Sequence, residues 1–204
     1  MSPRGLGNIG VVDVPVGPMK YNPDKHHRRS MRLKGYDYSS PGFYFITICT
    51  HQRLCLFGNV EGNKMHLNEF GQVVLDCWQA IPQHFCHIEL DEFVIMPNHI
   101  HGIIIVNNGR DMAPPCPTKT QNRQFSRPVP GAISTAIGSF KSIATKRINE
   151  IRNAPGCPVW QSQFYDRIIR DRDALDRIQR YIQQNPLAWQ TDKLYSDAVE
   201  GDGG

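Results

Sequence analysis

The chain has no pair of cysteines at C-x-x-C spacing. Cys49, Cys55, Cys77, Cys86, Cys116 and Cys157 are too scattered to supply the close ligand pairs of a structural zinc site, which is therefore not expected. Several of them sit in apolar stretches and read as buried free thiols, as in a reducing compartment. No charged start followed by an apolar core and a cleavage site is present, so no secretory leader is expected. No apolar run approaches the roughly 20 residues that span a bilayer. An internal repeat is also missing, which excludes solenoids and propellers. Excess charge of one sign is small. The net charge is +4 and the pI about 8.8, and such a balance does not by itself demand a polyanionic partner. The chain left by these absences is expected in the cytoplasm. Its 204 residues, 40% hydrophobic and 21% charged, suit one globular domain with a real core and tails.

The basic residues that are present are unevenly placed. From Lys119 to Arg180 there are 12 Lys or Arg against 5 Asp or Glu. A second cluster runs from Lys25 to Lys34 and includes Arg28, Arg29 and Arg32.

The chain is organised around Met96-Pro97-Asn98-His99-Ile100-His101-Gly102, followed by Ile103-Ile104-Ile105-Val106. Pro97-Asn98 is a turn signal, because proline presets one backbone angle and asparagine tolerates unusual ones. In the strand that follows, residues two apart face the same side. His99 and His101 would then project together as two nitrogen ligands for a divalent metal.

The remaining elements follow from composition and period. Phe43 to Thr50 alternates and is rich in aromatic and β-branched residues, so it predicts a first strand. Leu54–Phe57 and Lys64–Leu67 suggest a minor hairpin. Asn68 caps a helix whose stripe is Val73, Val74, Cys77, Trp78 and Ile81, with Pro82 as a kink and an end near His84. Ile88–Met96 and Ile100–Val106 are antiparallel neighbours across the tight turn. Residues 107–130 form a long polar, proline-rich connection. A helix is predicted over 132–151, an extended segment over 159–169 and a last helix over 170–184, stopped by Pro186. This order of elements predicts an α+β, ferredoxin-like fold with a split β-α-β pattern. It has an antiparallel sheet, helices on one face and one extra C-terminal helix. An irregular arm at 1–27 and a loose tail at 191–204 flank a single domain at 28–190.

The last helix carries Tyr181 and Asn185, four apart and so on one face. A phenol is a weak nucleophile near neutral pH, but a metal that polarises the phosphate under attack makes it competent. Asn185 offers a hard oxygen to complete the coordination begun by the histidines. Tyr165 is the rival nucleophile. Its neighbour Asp166 disfavours a phenolate, whereas Arg177 lies one turn before Tyr181, which favours Tyr181.

Met96 to Gly102 resembles the His-hydrophobe-His motif of single-tyrosine HUH transposases. Val159-Trp160-Gln161, Asp166 to Arg170, Tyr181-Ile182 and Asn185-Pro186 resemble the C-terminal pattern of their REP-associated tyrosine transposase branch. So do Arg29 to Leu33, Tyr36-Asp37-Tyr38 and Phe43 to Thr50. The likeness covers roughly residues 28–190. It implies a single-stranded DNA endonuclease and strand transferase acting on DNA hairpins. In it, His99, His101 and, as the amide ligand, Asn185 hold Mg²⁺ or Mn²⁺. Tyr181 attacks the scissile phosphate to give a 5′-phosphotyrosine and a free 3′-hydroxyl. Arg28, Arg29, Arg32, Lys141, Lys146 and Arg147 are candidate phosphate contacts. Such enzymes act as monomers or as homodimers that exchange tyrosine helices. A hairpin-binding protein without cleavage, and a phosphodiesterase that uses water, are the alternatives.

Overall fold

The structure, a computed structural model, describes residues 40–107 and 133–195. The N-terminal arm, Arg28, Arg29, Arg32 and almost all of the proline-rich connection lie outside the described residues.

Four strands form the main sheet: β1 (Gly42–Cys49), β4 (Ile88–Met96), β5 (His99–Val106) and β6 (Tyr165–Ile169). Their order is β4-β5-β1-β6, and each neighbour is antiparallel. This is the ferredoxin-like arrangement that the alternation of elements predicts. The strand pleat sends alternate side chains to opposite faces. On one face Tyr44, Ile46 and Ile48 of β1 and Ile100 and Ile104 of β5 pack beneath α1 (Glu69–Gln79) and α3 (Ile133–Ile151). These helices contribute Val74, Trp78, Ile137, Phe140, Ala144 and Ile148. The opposite face carries a smaller cluster. There Phe43, Phe45, Ile103 and Ile169 meet Leu175, Ile178 and Ile182 of α4 (Arg172–Gln184).

Gly102 allows Trp78 to lie directly on β5. A Cβ at that position would stand 2.6 Å from Cζ2 of the indole. The strand therefore carries histidines toward α4 on one face and a glycine beneath the largest core side chain on the other.

Several boundaries differ from the sequence reading. The small hairpin pairs β2 (Gly58–Glu61) with β3 (Lys64–Leu67), not residues 54–57 with 64–67. Gly62 and Asn63 both take positive φ there (55° and 62°), as a two-residue hairpin turn requires. The first helix stops at Gln79, and Pro82 sits in the first turn of the short α2 (Ile81–His84), where a missing N–H costs little. β6 starts at Tyr165; upstream, Trp160 makes only an isolated bridge to Thr50. Asp171 caps α4 by accepting the Ala174 N–H at 2.7 Å, which excludes Arg170 from the helix. The tail expected to be loose from residue 191 is packed in its described part. Trp189–Thr191 forms a 3-10 turn with Trp189 buried, and the chain then folds back as far as Tyr195.

Candidate metal and tyrosine site

The turn at Pro97-Asn98 is fixed before the histidines begin. Thr50 N–H donates to Asn98 O at 2.9 Å, and Phe57 N–H donates to Pro97 O at 3.1 Å. β5 then opens at His99, with Cys49 opposite it and Thr47 opposite His101. Both imidazoles are buried, with ring centroids 4.5 Å apart. Phe45 stacks on His101 at 5.2 Å, and Trp189 lies 6.0 Å from His99.

The neighbours of His99 select its tautomer. Asn98 donates its amide N–H groups to Arg53 O (3.2 Å) and Leu194 O (2.8 Å), so its Oδ1 faces His99 Nδ1 at 2.8 Å. An amide oxygen only accepts, so His99 Nδ1 carries the proton and Nε2 presents a lone pair. A second contact that fixes the ring and exposes the other nitrogen is the usual support of a metal-ligating histidine. His101 is held likewise, with Nδ1 2.8 Å from Thr47 Oγ1. Its Nε2 lies 3.1 Å from the Tyr181 hydroxyl.

Burial lowers the pKa of His99 from 6.5 to about 4; the Asp192 charge and the Asn185 side chain pull it back only in part. Burial, with His99 beside it, also holds His101 well below its usual value. Both rings are therefore neutral at neutral pH, the form that binds a metal. For the Tyr181 phenol, burial and then the Asp192 carboxylate raise the pKa, while a hydrogen bond with Asn185 lowers it. This reverses part of the sequence argument. The sequence favours Tyr181 through Arg177 one turn before it and through Asp166 beside Tyr165, yet the fold brings the Asp192 carboxylate to Tyr181 from beyond the helix.

Asp192 is the functional candidate that sequence reasoning missed. Its carboxylate accepts Leu194 N–H at 2.6 Å and Asn185 Nδ2–H at 3.1 Å. Candidate ligand atoms of His99, His101 and Asp192 lie within 4.8 Å of one another. Because Asn185 spends its amide N–H on Asp192, its Oδ1 is left buried without a hydrogen bond, as is His99 Nε2. A neutral His99 and Asn185 Oδ1 thus present two acceptors in one place. A hydrogen bond between them requires protonated His99, which is why Asn185 favours that form. A divalent cation satisfies both acceptors at once. Two imidazoles, a carboxylate and an amide oxygen suit Mn²⁺ or Mg²⁺. The donor set fits such an ion.

His99, His101, Tyr181 and Asn185, singled out from sequence, thus converge on one spot. Thr47 and Asn98 join them as orienting groups; only the position of Asn98 beside His99 hinted at its role. Lys141, Lys146 and Arg147 do not converge there, since α3 lies on the other face of the sheet. Lys141 Nζ instead donates to Gln161 O (2.5 Å) and Ser162 O (3.2 Å). Arg147 reaches Cys77 Sγ at 3.9 Å, and exposed Lys146 pairs with Glu150 at 3.9 Å.

No family model matches the chain. An uncharacterized protein of Haemophilus influenzae (strain ATCC 51907 / DSM 11121 / KW20 / Rd) is 44% identical over 182 residues, which span 87% of this chain and 98% of that protein. Among solved structures, a REP-associated tyrosine transposase bound to a REP hairpin superposes with a TM-score of 0.52 at 17% identity. That alignment covers 85% of this chain and 97% of the transposase. No described helix is long and apolar enough to cross a membrane. The chain belongs to the family of the Haemophilus influenzae protein, and its fold is that of the REP-associated tyrosine transposase.

Proposed function

We propose that this protein is a metal-dependent, transposase-like enzyme that cleaves single-stranded DNA beside a hairpin and rejoins the strand. One observation carries the reading. The Tyr181 hydroxyl sits 3.1 Å from His101 Nε2, within a set of buried lone pairs that suits a divalent cation. His99, His101 and Asp192, with Asn185 Oδ1 beside them, would hold Mg²⁺ or Mn²⁺. Bound there, the ion would supply positive charge that polarises the scissile phosphate and offsets the Asp192 carboxylate.

The chain's own groups supply the remaining steps. Tyr181 Oη attacks phosphorus, and its proton passes to the Asp192 carboxylate, whose charge acts on the phenol. The bond from phosphorus to the 3′-oxygen breaks, and that oxygen leaves and takes up a proton. The 5′-phosphate stays on the tyrosine. Attack by another 3′-hydroxyl reverses the sequence and rejoins DNA with no outside energy, because the ester bond is conserved. Asn98 and Thr47 keep the two imidazoles in register through each cycle. Tyr181 reaches His101 of its own chain. A hairpin substrate is favoured by the fold shared with the hairpin-bound transposase. Exposed Lys146, and Arg28, Arg29 and Arg32 outside the described residues, remain candidates for its phosphates.

The test is incubation of the protein with end-labelled hairpin DNA and Mn²⁺, resolved on a denaturing gel. A covalent protein–DNA band is expected for the wild type. It should vanish in excess EDTA and in Tyr181→Phe, while DNA binding persists. Cleavage without a covalent band would favour the water-using phosphodiesterase. Binding without cleavage would favour a non-cleaving hairpin binder.

A further inference from the structure

The α4 face of the sheet is only partly covered. α4 starts just after β6 and packs on Ile169 and Phe43. It then diverges toward the far strand β4, where Gln179 Nε2 donates to Asp91 Oδ2 (2.7 Å) and Gln183 Nε2 donates to Glu92 Oε1 (3.0 Å). The other end of β6 stays open on this face. Alternation along β6 turns Ile168 to the α1 and α3 layer, and turns Tyr165 and Arg167 to the α4 face. Both are exposed, Tyr165 at 46%.

The register ties this exposed pair to the site. Tyr165 stands opposite Thr47, the residue bonded to His101 Nδ1. Arg167 stands opposite Phe45, whose ring stacks on His101. Neighbouring strands lie roughly 4.8 Å apart, so β6 runs about 10 Å from the histidine strand. That is on the order of one or two nucleotide steps. An exposed aromatic face beside a guanidinium, continuous with a phosphate-handling site, suits an unpaired nucleotide. The ring offers a base-stacking surface that tolerates any base, and the guanidinium complements a phosphate.

We propose that Tyr165 and Arg167 form a platform for the single-stranded nucleotide adjoining the cleaved phosphate, with Tyr165 stacking its base and Arg167 holding its phosphate. This rests on the single-strand reading of the site. Tyr165 is then a substrate-positioning residue rather than a rival nucleophile.

The experiment measures equilibrium binding by fluorescence anisotropy, in EDTA, so that no cleavage intervenes. The probes are a hairpin with a single-stranded flank and a series in which each flank nucleotide in turn is abasic. Tyr165→Ala should weaken binding to the intact flank about tenfold, while Tyr165→Phe should not. One abasic position should weaken the wild type similarly and should abolish the difference between wild type and Tyr165→Ala. Arg167→Ala should weaken binding at every flank sequence and flatten the salt dependence. Thermal melting of each variant confirms that it is folded; Tyr165 and Arg167 are exposed, so little change is expected. The platform is overturned if Tyr165→Ala binds as the wild type does, or loses affinity equally on all abasic probes. If the wild type binds the flank and forms the covalent adduct while Tyr165→Ala is unaffected, only the platform fails. If the wild type binds no single-stranded flank, the reading of the site fails with it.

Discussion

The indole donors buried on one face of the sheet differ in kind from the acceptors buried around the histidines on the other. Beneath α1 and α3 two indole donors, Nε1 of Trp78 and of Trp160, are buried without hydrogen bonds. On the α4 face two acceptors, His99 Nε2 and Asn185 Oδ1, are buried without them. A donor lodged in hydrocarbon is a tolerated cost of packing a large ring. Two acceptors turned toward each other beside a carboxylate are an electrostatic demand for a cation. The first face is therefore built for stability and the second for a ligand, although one strand, β5, serves both.

This contrast can be broken experimentally. The largest stability effect is expected on the helix face. Trp78→Ala should cost about 3–5 kcal/mol in urea unfolding, because no neighbour can refill the space, and Mn²⁺ should not restore it. On the α4 face the sign should change with metal. At a hundredfold excess over its dissociation constant, Mn²⁺ should raise the unfolding free energy of the wild type by about 2.7 kcal/mol. His99→Ala and His101→Ala should lose that gain, and with it cleavage, while still binding hairpin DNA. Gly102→Ala tests the shared strand. Its new methyl group meets the indole at 2.6 Å, and overpacking should destabilise the fold by about 1–3 kcal/mol. The smallest effect is expected for Thr47→Val, which keeps shape but removes the hydroxyl at His101 Nδ1. It should weaken Mn²⁺ binding about tenfold in a calorimetric titration, with little change in melting temperature.

The same contrast explains what the sequence made legible. The histidine pair was readable because strand period alone puts His99 and His101 on one face, and helix period does the same for Tyr181 and Asn185. Gly102 beneath Trp78 was not, because a close approach between a strand and a helix far apart in sequence leaves no local trace. Asp192 was hidden for a related reason. It lies beyond the helix stop at Pro186 and reaches the histidines only because buried Trp189 and the bonds from Asn98 and Asn185 fold that segment back. For Lys141, Lys146 and Arg147 the helical period marks a polar face of α3. It does not tell which side of the sheet the helix occupies.

The central claim is that Tyr181 is the group that takes the DNA strand. The most direct measurement is to digest the trapped adduct with nuclease and trypsin and locate the nucleotide by mass spectrometry. Cleavage after Arg180 and after Arg167 places Tyr181 and Tyr165 in different peptides. The account predicts the nucleotide on the peptide that begins at Tyr181, and none on the peptide that contains Tyr165. A nucleotide on the Tyr165 peptide, or the same adduct yield from Tyr181→Phe, would contradict it.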